Sequence, residues 1–266
     1  MDLELAGRRA IVTGGSAGIG RAVARQLAIE GVDVAVCSRS LERAEDAIGA
    51  MEIPAAPGKL IPTILELRDP ASVTAMVAGT VERLGGVDIL VNSGSEVSGN
   101  VSEAWDKVTE EFILSSFEDK FLGTLRCCRE VIPHMRAQQF GKIINIAGHK
   151  AREAGSVAAG ARNASIVNLT KALAMSVGRD GITVNAVHPF TTLTERVIDR
   201  MANMGRERGL SGEEQLAQRA SRTSLGRLLT AAEVADFVTF LCSPRSVALT
   251  GEVVALTAGV GDAVYY

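Results

Sequence analysis

The sequence predicts an α/β fold, a single-domain doubly wound parallel sheet of about seven strands with helices on both faces. Three observations carry this reading. Short β-branched runs alternate with longer segments of helical periodicity along the whole chain. The short runs are apolar almost throughout, as strands covered on both faces must be. A glycine-rich turn, "TGGSAGIG" at 13–20, joins the first run to the first helical segment.

The elements follow in order. "RAIVT" at 9–13 is the first strand, followed by a helix at 19–30; "DVAVC" at 33–37 is the second, followed by a helix at 41–50. "IPTILEL" at 61–67 leads to a helix at 70–84, and "DILV" at 88–91 to a long helical segment at 102–138. "KIINIA" at 142–147 precedes a helix at 157–178, and "ITVNAV" at 182–187 is the sixth strand. Residues 190–224 break the rhythm: they are charged, carry their own helical patterns, and are expected to form a lid inserted before the last helix, 231–242. "EVVAL" at 252–256 completes the sheet. Each strand-helix-strand unit implies a right-handed crossover, and with no repeat or linker tract the whole of 1–266 reads as one domain.

Composition excludes several function classes. A net charge of -3 with 4% aromatic residues offers no basic field for nucleic acid. No apolar stretch reaches the length of a membrane span, and "MDLELAGRRA" lacks the charge pattern of a signal peptide, so a soluble cytoplasmic protein is expected. Cys37, Cys127, Cys128 and Cys242 show no metal-binding or disulfide spacing and read as buried small hydrophobes, with no metal expected.

The glycine turn points to a dinucleotide. Gly14 permits a tight turn, Gly18 a close approach of backbone to a diphosphate, and Gly20 close helix-sheet packing, with Ser16, Ala17 and Ile19 completing the cradle at a helix N-terminus. Where a carboxylate after the second strand would select NAD(H), this chain has Ser38 and Arg39, a hydroxyl and a planar guanidinium suited to a ribose 2′-phosphate. NADP(H) is therefore expected in preference to NAD(H); the alternative is that Arg39 merely starts a charged, solvated helix.

With these motifs the chain resembles the short-chain dehydrogenase/reductase family, a Rossmann-like fold, near its 3-oxoacyl carrier-protein reductase branch, over nearly its full length. "LVNSG" at 90–94 is similar to the family's LVNNAG, "VNAVHP" followed by Thr194 to its VNxVxPGxxxT, and 224–254 to its C-terminal helix and final strand. The resemblance implies cofactor contacts from Leu67, Asn92, Ser93, Gly94, Pro189 and Thr194. Ser93, Ser95, Phe190 and the "LTAG" at 256–259 depart from the pattern.

The same resemblance places alanine (Ala159) at the family's catalytic tyrosine, Asn163 at its lysine, Gly148 at its serine and Lys120 at its asparagine. All four roles of the Asn-Ser-Tyr-Lys set change, and the chain's two tyrosines, Tyr265 and Tyr266, stand at its C-terminus, from which they could serve a neighbouring subunit. Lys120 and Asn163 read as a cation and an amide that have exchanged sides of one polar site; the alternative for Lys120 is an exposed helix face. His149, after the fifth strand, is a candidate proton donor. Ser95 and Ser116 are weaker hydroxyl candidates. Arg162 reads either as a ligand for a substrate carboxylate or phosphate or as a surface arginine, His188 as a packing residue and His134 as a helix-end group.

Three functions remain open on sequence: an NADP(H)-linked oxidoreductase of a small-molecule or acyl-thioester substrate with an unconventional proton donor, a non-catalytic nucleotide-binding subunit or sensor, and a lyase or isomerase on the same frame. A homotetramer or dimer built on 102–138 and 157–178 is implied by the resemblance, or a hetero-oligomer with an active relative.

Overall fold

The structure, a computed structural model, describes residues 1–54, 58–95, 105–154 and 156–261. Seven parallel strands form one sheet: β1 Arg9–Thr13, β2 Asp33–Ser38, β3 Leu60–Ile64, β4 Ile89–Asn92, β5 Gly141–Ile146, β6 Ile182–Pro189 and, last in the chain, β9 Val253–Leu256. Their spatial order is β3-β2-β1-β4-β5-β6-β9, so the winding reverses between β1 and β4 and opens a crevice at the carboxyl ends of those strands. β7 Thr192–Leu193 and β8 Leu229–Thr230 form a separate parallel pair.

Side-chain alternation along each strand divides the interior in two. Ala10 and Val12 of β1 enter one core with Val34 and Val36, under α1 Gly18–Ile29 and α9 Ala231–Cys242. Ile11 points the other way, into a core with Ala35 and Leu90 beneath α3 Pro70–Leu84 and α5 Gly123–Ala137. All four cysteines are free and buried in these two cores, and burial pushes the Cys37, Cys128 and Cys242 thiols up to about 12. That matches their expected role as small hydrophobes.

Local signals set the helix ends. Asp69 caps α3 by accepting from the Ala71 amide at 2.9 Å, with Pro70 in the first turn and Gly85 closing the helix at φ +81°. Ser156 caps α6 Val157–Val177, and Thr230 with Glu233 makes a capping box on α9. At α1 the cap is Ala17, which offers no side-chain acceptor, and the first turn holds no acidic residue.

Two expectations are corrected. The helical segment foreseen at 102–138 starts only at Glu110, with 105–109 irregular and 102–104 outside the described residues; from there α4 Glu110–Phe117 runs into α5 through a π-helical turn, Glu118–Leu122, that carries Lys120. The third strand ends at Ile64, with Glu66 and Leu67 already in the following turn. The charged region 190–224 folds as two helices, α7 Glu195–Arg208 and α8 Gly212–Ala220, beyond the carboxyl end of β6. Among the described residues no helix is long and apolar enough to cross a membrane.

Candidate active site

The first half of the site is made of backbone. The turn after β1 brings Gly14, at φ +63°, so close to β4's extension that a β-carbon there would lie 2.8 Å from Gly94 Cα. A β-carbon on Gly20 would lie 2.2 Å from the Gly14 carbonyl oxygen, so α1 and the turn can meet only through glycine. Gly15 donates to the Cys37 carbonyl at 3.0 Å, and Thr13 Oγ1 accepts from the Ser93 and Gly94 amides at 3.1 and 2.9 Å. The turn is thus tied to both neighbouring strands, while the first amides of α1 lack any side-chain cap. N–H groups at the positive end of a helix, behind a turn in which Gly14, Gly15 and Gly18 carry no side chain, fit a dinucleotide diphosphate.

At the end of β2, Ser38 is buried and its hydroxyl accepts from Ser16 Oγ at 3.2 Å; Arg39, next along, is exposed. Ser16 and Ser38 therefore hold the turn against β2, one residue before Arg39. Leu67 lies under both Gly94 and Gly123, and Arg126 donates to its carbonyl at 2.9 Å.

The second half is a cavity of about 610 Å³ walled by Lys120, Gly148, His149, Ala159, Arg162 and Asn163 on the sheet side, by Pro189, Phe190, Thr192 and Thr194 after β6, and by α7 and α8. Ile19 and Ser95 connect it to the glycine turn. The four positions singled out by family resemblance, 120, 148, 159 and 163, are all in this wall.

Lys120 is only 7% exposed, so its surface-helix alternative is overturned. The π-helical turn directs its ammonium to the carbonyl of Ile146 at the end of β5. Burial, with the nearby Arg162 charge, brings its pKa down to about 7. Asn163 donates from Nδ2 to the Ala159 carbonyl at 2.8 Å, back along its own helix. A β-carbon at Gly148 would lie 3.2 Å from both Nδ2 and Oδ1 of Asn163, so the small residue at 148 and the amide at 163 fit each other. Ala159 is buried and brings no polar side chain.

His149 opens a short 3-10 turn, His149–Arg152, and stacks edge-on against Phe190 with ring centroids 5.8 Å apart. Its Nδ1 is buried without a hydrogen-bond partner among the described residues, and burial outweighs the pull of Glu153 to lower its pKa, which leaves the ring uncharged at neutral pH. An uncharged imidazole is a poor acid, and Lys120 is the other titratable candidate in the same wall. Ser95 lines the cavity, whereas Ser116 is buried in α4 outside its walls. His188 is fully buried on β6 with both ring nitrogens unpartnered among the described residues and its pKa down to about 4, and His134 is exposed in the last turn of α5. Asn92 turns inward: its Nδ2 donates to Asn145 Oδ1 at 2.9 Å, and Asn145 in turn to Thr170 Oγ1 at 3.0 Å, so its side chain braces β4 against β5 and α6. Tyr265 and Tyr266 lie outside the described residues.

Arg162 is the largest departure from expectation. Its surface alternative is overturned, since it is 8% exposed and lines the cavity, with Nε and Nη1 unpartnered among the described residues. Sequence reasoning missed Glu153, Arg200 and Arg219, which also line the cavity. The run of arginines along α7 and α8 was visible, but periodicity does not say which of them face a site built by a different part of the chain.

Comparison with known proteins agrees with this architecture. The family model described as enoyl-(acyl carrier protein) reductase matches residues 14–261. A putative ketoacyl reductase of the granaticin polyketide synthase of Streptomyces violaceoruber is 35% identical over 95% of this chain and 93% of its own. The 3-oxoacyl-[acyl-carrier-protein] reductase of Vibrio cholerae is 30% identical over 97% of this chain and 99% of its own. Among solved structures, L-sorbose reductase from Gluconobacter frateurii, complexed with NADPH and L-sorbose, superposes with a TM-score of 0.90 at 27% identity, covering 98% of each chain. A single-substitution variant of actinorhodin polyketide ketoreductase with NADPH gives 0.87 at 29% identity, over 96% of this chain and 98% of its own.

Proposed function

This chain belongs to the short-chain dehydrogenase/reductase family, and on that premise we propose that it is an NADP(H)-dependent oxidoreductase of a carbonyl/hydroxyl pair in which Lys120 moves the proton. The observation that carries the proposal is a lysine ammonium buried in the wall of the cavity that Ile19 of the glycine turn also lines, held on the Ile146 carbonyl and poised near neutrality. A bound nicotinamide supplies or accepts the hydride. In the reducing direction Lys120 donates a proton from Nζ to the carbonyl oxygen, and the neutral amine that remains takes its next proton from solvent. Burial and the charge of Arg162 keep that amine weakly basic, and Asn163, filling the space left by Gly148, keeps the wall polar beside it. Arg39 supports the preference for NADP(H), being the exposed cation at the end of β2 where NAD(H) would call for a carboxylate.

A second reading has its own observation. Ala159 presents no hydroxyl at the position where the family resemblance calls for a phenol, which is what a nucleotide-binding subunit or sensor that has given up chemistry would show. Binding and turnover separate the two. Titration should give at least about tenfold tighter binding of NADPH than NADH, with Arg39→Asp reversing the order. Equal affinity of the parent for both would contradict the cofactor assignment. Tight NADPH binding with no turnover on any carbonyl substrate would establish the non-catalytic reading instead.

A further inference from the structure

A guanidinium taken out of water needs an anion or several acceptors, and for the Nε and Nη1 of Arg162 the described residues supply neither. The carboxylate that influences it most, Asp119, is already gripped by Arg68, whose Nη2 donates to Asp119 Oδ2 at 2.9 Å. The one carboxylate among the described residues lining the cavity, Glu153, is likewise engaged, by Lys150 at 2.9 Å and Arg222 at 2.7 Å. Arg200, exposed towards solvent, and the half-buried Arg219 reach the same cavity from α7 and α8. The hydrogen bonds of Arg219 go to neutral atoms, Thr191 Oγ1 at 3.3 Å and Met201 Sδ at 3.2 Å.

The cations therefore converge on a cavity whose own carboxylate is spent, and the buried one, Arg162, costs folding energy unless something negative completes it. The dinucleotide diphosphate does not meet this need, because its cradle is the uncapped end of α1, and of α1 only Ile19 reaches the cavity. We infer that the substrate carries a carboxylate or phosphate, held by the planar fork of Arg162 and closed over by Arg200 and Arg219. The inference rests on reading the cavity as the substrate site. It favours a short keto or hydroxy acid, or a phosphorylated ketone, over an acyl thioester, which has no negative charge close to its reacting carbonyl.

Thermal unfolding of the whole protein, free and saturated with NADP⁺, tests it with acetate, inorganic phosphate and the neutral isostere acetamide. Acetate or phosphate should raise Tm and acetamide should not; which anion acts identifies the group. Arg162→Met should abolish the anion response and, by removing an unpaired buried charge, raise the ligand-free Tm by about 2 to 4 °C. Arg162→Lys should weaken the anion response about tenfold, since a point charge replaces the fork. A parent indifferent to both anions overturns the inference. So does an Arg162→Met protein that melts lower, fails to fold or still responds, since Arg162 would then serve the fold. NADP⁺ binding, measured in the same series, is read separately: its failure alongside an Arg162-dependent anion response removes the cofactor assignment and leaves the anion site standing.

Discussion

A lysine ammonium moved from water into a protein interior loses hydration that one backbone carbonyl cannot replace, and Lys120 carries that cost in a definite pH window. Below about pH 7 it is charged both in the folded protein and in the unfolded chain, and the folded state bears the whole penalty. Between about 7 and the ordinary value of 10.5 the unfolded chain binds the proton and the folded protein does not, so stability rises with pH. Lys120→Met should accordingly stabilise the fold by on the order of 2 to 4 kcal/mol at pH 6, after allowing for the Ile146 carbonyl left without its donor, with the gain fading towards pH 10.5. Denaturant midpoints of parent and variant across that range check it; a difference that does not change with pH would show that the lysine is not buried charged. The identity of residue 120 was legible in the sequence as a departure from a family pattern. Its burial was not, because it follows from a π-helical turn whose extra residue rotates the lysine inward.

At the scale of elements, the dinucleotide cradle was legible because its demands fall on the backbone, where glycine is the sole solution. Gly20→Ala should cost about 1 to 3 kcal/mol and weaken NADPH binding at least about tenfold, since its β-carbon would meet a carbonyl that cannot retreat. Gly79→Ala, in the interior of α3 with nothing within 4 Å of its β-carbon, should instead stabilise by about 0.5 to 1 kcal/mol and leave binding alone. Urea unfolding and NADPH titration of both variants give the comparison; similar effects of the two would mean that the turn is not sterically fixed. The π turn between α4 and α5 escaped sequence reading because no proline or glycine stands in 110–122 to mark it. For α6, small and apolar residues surround the axis, and only packing shows that Arg162 and Asn163 face the cavity while Met175 faces out.

Across the whole molecule, seven strands in a reversing order bring the glycine turn, Ser38 and Arg39, and the cavity wall together at the carboxyl ends of β1, β2, β4, β5 and β6. The opposite requirement, cover for apolar surface, is left most open in the helices at Leu114 on α4 and Met175 on α6, which are 69% and 78% exposed. We expect these helices to pack against a second copy about a twofold axis, so Leu114→Glu or Met175→Glu should shift a dimer or tetramer towards smaller species in light scattering. A parent that is monomeric at micromolar concentration would exclude that assembly. The central claim, that this cavity transfers a proton from Lys120 as hydride moves, is tested most directly by single-turnover mixing of the NADPH-loaded protein with a panel of carbonyl acids while nicotinamide absorbance is followed. The parent should oxidise NADPH with a rate that falls as pH rises through about 7, the value of the buried lysine. Lys120→Met should lower that rate by about 10² to 10⁴ with NADPH affinity largely retained, and His149→Gln should be tolerated. An undiminished rate in Lys120→Met, or loss of turnover in His149→Gln alone, would contradict the assignment.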